Sequence, residues 1–246
     1  MLFERLFYEL KLRWITMVLV PCLILISVVI MAYIMYLFHA DPSRLLLSEL
    51  EMFLPLAASV IIGSIITQEP ALELQLTLPR KYHNTGIIRT GIVLVWTACV
   101  AVCSLGIMVA FRLFMLPGFT LSWPVVVRFF MMQLIWLAPL LWFAMLGLCC
   151  AVLTKSMAAC STILGIVWLI DFASTGFIAE NAWLRPFLLF PTFTFYPIFP
   201  QISQRDFTTY WLTTRFENLI MALVLFPIGW LLLHNTERLL QAALEE

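Results

Sequence analysis

The residues able to do chemistry in this chain are few, and their spacing argues against an active site. The three histidines, His39, His83 and His234, lie far apart in sequence and near the ends of apolar runs. No His-Glu-x-x-His, Gly-x-Ser-x-Gly or Walker A pattern occurs, and Lys155-Ser156 lacks the glycines that would let a loop cradle phosphate. The six cysteines all fall inside apolar runs, where they read as small hydrophobes. Cys99 and Cys103 share a helix face, but no histidine or acid joins them at ligand spacing, so no metal site is expected. Asp171 is the acid set within an apolar run. It reads either as a substrate or gating contact, or as an acid near the outer end that pairs with Arg128 or Arg112 or is simply wet. The aromatic residues Phe190, Phe193, Phe195, Tyr196 and Phe199 could line an exit for an amphipathic molecule or form an interfacial belt. Phe193 and Tyr196 join Asp171 as candidates for a substrate path.

These side chains sit in a chain that is 63% hydrophobic and only 11% charged, with a mean hydropathy of +1.01. A water-soluble domain carries roughly 25% charged residues. The composition therefore predicts an all-α integral membrane protein, a single domain over 1–246. The apolar runs are too long and unbroken for a membrane barrel. A formal net charge of zero gives no electrostatic case for nucleic acid.

About six spanning helices are expected, near 14–38, 50–66, 91–111, 126–153, 158–177 and 216–233, each near the ~20 residues needed to cross. Residues 1–13 place Leu2, Phe3, Leu6, Phe7 and Leu10 on one face, opposite Glu4, Arg5, Glu9, Lys11 and Arg13. That pattern predicts an amphipathic interface helix, and the long first run reads as a retained anchor. Pro139 should kink the fourth span. Residues 178–214 hold Pro186, Pro191, Pro197 and Pro200. They are too broken for one span and too apolar for a solvated loop, so they read as short outer re-entrant or interfacial helices. Glu49, Glu51, Arg215 and Glu217 read as interfacial anchors at span ends, and the tail after His234 as a short amphipathic helix. An even span number puts both termini on one side. All three lysines, Lys11, Lys81 and Lys155, then fall with the termini, which predicts cytoplasmic ends in a multi-pass protein of the cytoplasmic (inner) cell membrane.

The polar interruption at 67–90 stands out within this frame. Pro70 suits a first helical turn, Glu69 and Glu73 favour the positive end of the helix dipole, and Pro79 stops the helix. Leucine alternation over 72–78 is the mark of a strand, but a strand would have no partner here. A helix with leucines on more than one face needs two apolar surroundings.

The pattern Glu69, Leu72-Glu73-Leu74, Thr77-Leu78-Pro79-Arg80, then Arg89 to Gly91, resembles the ABC-2 type transporter permeases. The likeness extends over the full length: the span count, the interface helix, the short turn after span four and the broken segment before span six. One departure is Pro70-Ala71, where the family often has glycine soon after the first acid.

The resemblance implies a permease subunit of an ATP-driven exporter. Its 67–90 loop would carry a cytoplasmic coupling helix that docks on two copies of a separate ABC ATPase subunit through Glu69, Leu72, Glu73, Leu76, Pro79 and Arg80. It implies no bound cofactor and no catalytic residue in this chain, with ATP held by the partner. A second permease copy or a related permease would complete the path through membrane lipid. The short outer segments point to small or amphipathic cargo, such as a drug, a peptide or a lipid-like molecule. A non-transporting scaffold or sensor and a lipid-modifying membrane enzyme are the alternatives. The first would need no motor-docking loop, and the second would need an acid, base or metal cluster.

Overall fold

The computed structural model describes residues 15–67, 82–113, 116–196 and 198–245. Those residues are helical with no strand, and six of the helices are long and apolar enough to cross a membrane. We number the helices in chain order. α1 runs Val20–Leu37 after a π-helical turn at Ile15–Leu19. α2 is Ser43–Thr67, α3 is Tyr82–Ala110, α4 is Val125–Thr154 and α5 is Met157–Glu180. A short α6, Pro191–Phe195, precedes α7, which begins at Gln204 and runs without a break to Glu245.

The bundle is built around α2 and α4, the two helices with most of their length buried; α1, α5 and α7 bury only a strip. Their outer faces carry Leu23, Ile30, Ile166, Ile170, Ile220 and Leu223, all exposed. Such apolar surface has no place in water and is what a membrane helix turns to lipid. The protein is thus multi-pass by length and composition.

Close helix approach at the centre rests on glycine. A Cβ on Gly147 of α4 would meet the Ser59 carbonyl oxygen of α2 at 2.7 Å, and one on Gly63 of α2 would meet the Cys160 Sγ of α5 at 2.9 Å. Small residues let backbones approach where lipid offers no hydrophobic drive for association.

The helices alternate, so the bundle has two distinct ends. At one end Tyr33 and Tyr36 of α1, Pro42 and Leu46 at the start of α2, and Ile107 and Phe111 at the end of α3 line a cavity of about 430 Å³. At the other end Ile66 of α2, Val152 of α4 and Leu233 of α7 pack together, and Leu233 also lies against Gly86 of α3. The last turn of α2 and the first turns of α3 therefore lie at the same end as the Thr154–Ser156 turn and the distal half of α7. The 181–203 segment lies at the opposite end. The sequence-predicted docking residues Glu69, Leu72, Glu73, Leu76, Pro79 and Arg80, and the 1–13 helix, lie outside the described residues.

Several expected boundaries move. α2 starts seven residues earlier than the apolar run, because Ser43 and Asp41 begin the helix before the charged pair Glu49 and Glu51. Helix α7 begins at Gln204 rather than 216 and carries the tail as its own continuation. The broken segment shrinks to 181–203: a 3-10 helix at Ala182–Phe187, α6, and a 3-10 turn at Phe199–Gln201. Helix α5 departs from helical geometry at Ser174, and Pro139 sits buried inside α4.

Gly147→Ala tests the close crossing. Alanine normally favours a helix over glycine by ~1 kcal/mol. At Gly147 the backbone oxygen of Ser59 cannot give way, so a loss of about 1–3 kcal/mol in unfolding free energy is expected. Gly91, with nothing within 4 Å of its would-be Cβ, is the control and should gain stability on the same change.

Candidate functional site

The densest polar constellation is buried at the 181–203 end, and it is assembled from four helices. Its subject is the backbone turn from Leu188 to Phe193, which enters α6. Pro191 opens α6 and has no N–H to satisfy. The next two amides, of Thr192 and Phe193, have no partner within their own helix. Both donate to the carboxylate of Glu51 on α2, at 3.1 and 2.7 Å. The Thr194 amide then returns to the Phe190 carbonyl at 3.0 Å. A carboxylate 141 residues away thus caps this helix.

Glu51 could not sit there alone. It is fully buried, as is Arg215 of α7, and the two form an ion pair. Arg215 also donates to the Leu189 carbonyl at 3.1 Å and the Thr192 hydroxyl at 3.0 Å. The Thr192 hydroxyl accepts a further bond from the Trp211 indole at 2.8 Å, and the Arg215 guanidinium lies 5.7 Å from the Trp211 ring centroid. Asn218, one turn along α7, donates to the Leu188 carbonyl at 3.0 Å.

Local helix geometry aims these groups. Glu49–Phe53 and Phe207–Leu212 are π-helical turns inside α2 and α7. Such wider turns often mark functional sites. They divide the work of two acids two residues apart. Glu51 reaches α6, while Glu49 faces α3, where the Ser104 hydroxyl donates to its Oε2 at 2.9 Å. Both acids are fully buried. Glu49, Glu51 and Arg215 are therefore interior residues and not the interfacial anchors expected from sequence; the longer reach of α2 and α7 carries them inward.

Asp171 belongs to the same assembly. It is 3% exposed and accepts the Leu189 amide at 3.3 and 3.4 Å. It pairs with neither Arg128 nor Arg112, because the end of α5 stands against the Leu188–Phe190 turn. Phe193, half-buried, is covered by the Arg44 guanidinium at 4.7 Å from its ring centroid. Tyr196 stands apart from these two. Its hydroxyl bonds Asp41, whose carboxylate also takes the Ser43 hydroxyl at 2.5 Å and the Ser43 amide at 3.0 Å. The structure thus draws Asp171 and Phe193 to one turn, Asp171 binding it and Phe193 ending it, and uses Tyr196 to tie that segment to the start of α2.

The arrangement joins three long helices to one short turn through buried charge and backbone contacts. Arg215 and Glu51 spend their hydrogen bonds on each other, on the Thr192 hydroxyl and on backbone groups of the turn. Among the described residues no three His, Cys, Asp or Glu side chains gather as metal ligands would. The pairing of Glu51 with Arg215 was missed in the sequence. The available signal was the cost of a charge in lipid, which demands a partner for each acid or base inside a span. Comparisons with protein-family models, curated proteins and solved structures find no match.

Two measurements probe the joint. Breaking a buried ion pair from one side strands a charge and costs about 3–5 kcal/mol. Glu51→Gln and Arg215→Met should each lose that much in denaturant unfolding, and the double variant should lose less than their sum. At Asp41, burial pushes the carboxyl up, but the bonds from Ser43 and Tyr196 outweigh it and hold it below its ordinary value of 3.8. A depressed acid stabilises the fold above its unfolded value and loses that contribution as pH falls through the folded one. The wild type should therefore lose thermal stability faster than Asp41→Asn between about pH 4 and 2.

Proposed function

We propose that this chain is the membrane-spanning subunit of an ATP-driven exporter of the ABC-2 permease type, driven by a separate pair of ATPase chains. The observation that carries the reading is the relation between the two ends of α2. One end leads into the segment bearing Glu69, Leu72, Glu73, Leu76, Pro79 and Arg80. The other end holds Glu51, which grips α6. In this reading the 67–90 segment carries the coupling helix on the cytoplasmic side, and 181–203 belong to the re-entrant segment on the outer side.

The chemistry of force transmission follows from that relation. A helix transmits an axial or tilting displacement because its backbone bonds resist stretching. α2 is seated on α4 through the Ser59–Gly147 approach, so the pair moves together. Closure of the ATPase dimer would shift the docking segment. α2 would carry that shift to Glu51, and the ion pair with Arg215 would pass it to α6 and α7. Coupling between distant sites requires a two-state element biased from both sides, and in this reading α2 with its Glu51–Arg215 grip would be that element. Asp171 holds the moving turn and Phe193 is its last residue, which suits a gate on the outer side of a path for small or amphipathic cargo.

Replacing Glu73 by Lys tests the docking role. Charge reversal at a docking contact costs about 2–5 kcal/mol, tenfold for each ~1.4 kcal/mol. Co-purification with an ATPase subunit should fall by on the order of tenfold or more, with the helical content and melting of the permease unchanged. Undiminished co-purification together with full transport would overturn the docking role.

A further inference from the structure

Helices α1 and α5 both flank α2 and leave a lateral groove of about 700 Å³ between them. Val20, Ile24 and Val28 of α1 form one side, Phe53 and Val60 of α2 the floor, and Met157 of α5 one end. The volume lies in the ~300–1,000 Å³ range of small-ligand sites. Two hydroxyls line the groove, and both turn back to their own helices. Ser27 donates to the Ile24 carbonyl at 2.9 Å and Ser64 to the Ile61 carbonyl at 2.8 Å. The groove therefore presents almost wholly apolar walls, with the donor of each hydroxyl already used.

A column of rings continues the groove from Phe53 toward the α6 end of the bundle. Phe53 lies 6.3 Å from Trp168, Trp168 stacks on Phe172 at 5.7 Å, and Phe172 lies 6.2 Å from Phe193. Arg44 closes the column, with its guanidinium over the Phe193 ring. Arg44 is exposed, and no carboxylate of the described residues pairs with it. From Ser64 to Arg44 along α2 the site spans ~30 Å at ~1.5 Å per residue. It is apolar over its length and cationic at one tip.

We propose that this groove and ring column bind one anionic phospholipid drawn from the surrounding bilayer, with its acyl chain along the groove and its phosphate at Arg44. The walls alone would take any hydrocarbon chain. The selection for an anion comes from a guanidinium that lies over Phe193 and that no carboxylate of the described residues pairs with. A planar guanidinium suits phosphate oxygens through paired N–H donors. Phe193 also flanks the turn gripped by Glu51, so the occupant's head would rest on the moving part of the protein. This deepens the exporter reading by naming the class of molecule engaged, and it rests on that reading only for movement of the lipid, not for its binding.

The test uses the full chain in nanodiscs with diazirine-labelled phosphatidylglycerol or phosphatidylcholine, and adducts mapped by mass spectrometry. Adducts at Ile24, Phe53 and Val60 should be about fivefold more abundant with the anionic probe, the preference one basic residue gives. Arg44→Gln should bring the two probes level, Arg44→Lys should restore part of the preference, and Ala57→Trp should fill the groove and remove both labels. Equal labelling by the two probes, or an unchanged preference in Arg44→Gln, would mean annular lipid only and overturn the proposal. Groove residues free of lipid adducts, with Ile24→Cys forming chain-to-chain disulfides, would give the groove to a second copy and also overturn it. The binding readout needs no ATPase. Selective labelling without ATPase co-purification would leave the site standing and count against the exporter reading, and the reverse pattern would separate them the other way.

Discussion

Glu51 brings a carboxylate into an apolar interior, and the half of the molecule around it is arranged to make that tolerable. Its carboxylate caps α6 at two amides and is neutralised by Arg215. Each of these contacts would be costly without the others. An uncapped helix start would leave two buried donors unpaired, and an unpaired carboxylate or guanidinium would be far more expensive. The mutual dependence fixes the relative positions of α2, α6 and α7. Asp171 adds α5 through the Leu189 amide. One short turn therefore collects side chains from three long helices, which is why the proline-broken segment lies folded against the bundle and not loose above it.

The remainder of the bundle holds together by different means. Toward the other end, contact depends on small residues that allow close backbones, with Gly147 against Ser59 and Gly63 against Cys160. Polar contacts there are mostly hydroxyls returning to their own helices, as with Thr67 and Thr90. Close packing by shape resists bending but transmits rigid motion well. The combination of a stiff, glycine-seated α2 with a charged grip at its far tip suits a lever, and it gives the exporter reading its physical content.

How far the sequence could be read varies with the kind of signal. Hydropathy located all six long helices, because ~20 apolar residues have few other uses. Their ends were less legible. α2 and α7 extend beyond their apolar runs through Glu49, Glu51 and Arg215, which a hydropathy window treats as boundaries. Asp171, Phe193 and Tyr196 were singled out from type and place alone, and the first two do meet at one turn. What they touch there was not legible: Asp171 binds a backbone amide rather than an arginine. The coupling motif at Glu69 to Arg80 was read from a pattern of acids, leucines and a proline, and its reading still rests on that pattern.

The sequence alone determined that this chain belongs in a membrane, crosses it with about six helices, and is broken by prolines before the last one. Those properties follow from composition and run length, which are local and additive along the chain. The tertiary structure decided which charges are interior and whom they serve. The partners of Glu51 lie 141 to 164 residues away. Their pairing depends on helix phase, on two π-helical turns and on the close seating of α2 against α4. None of these can be summed from residue types, because a charge near the end of an apolar run looks the same whether it faces water or the helix it caps.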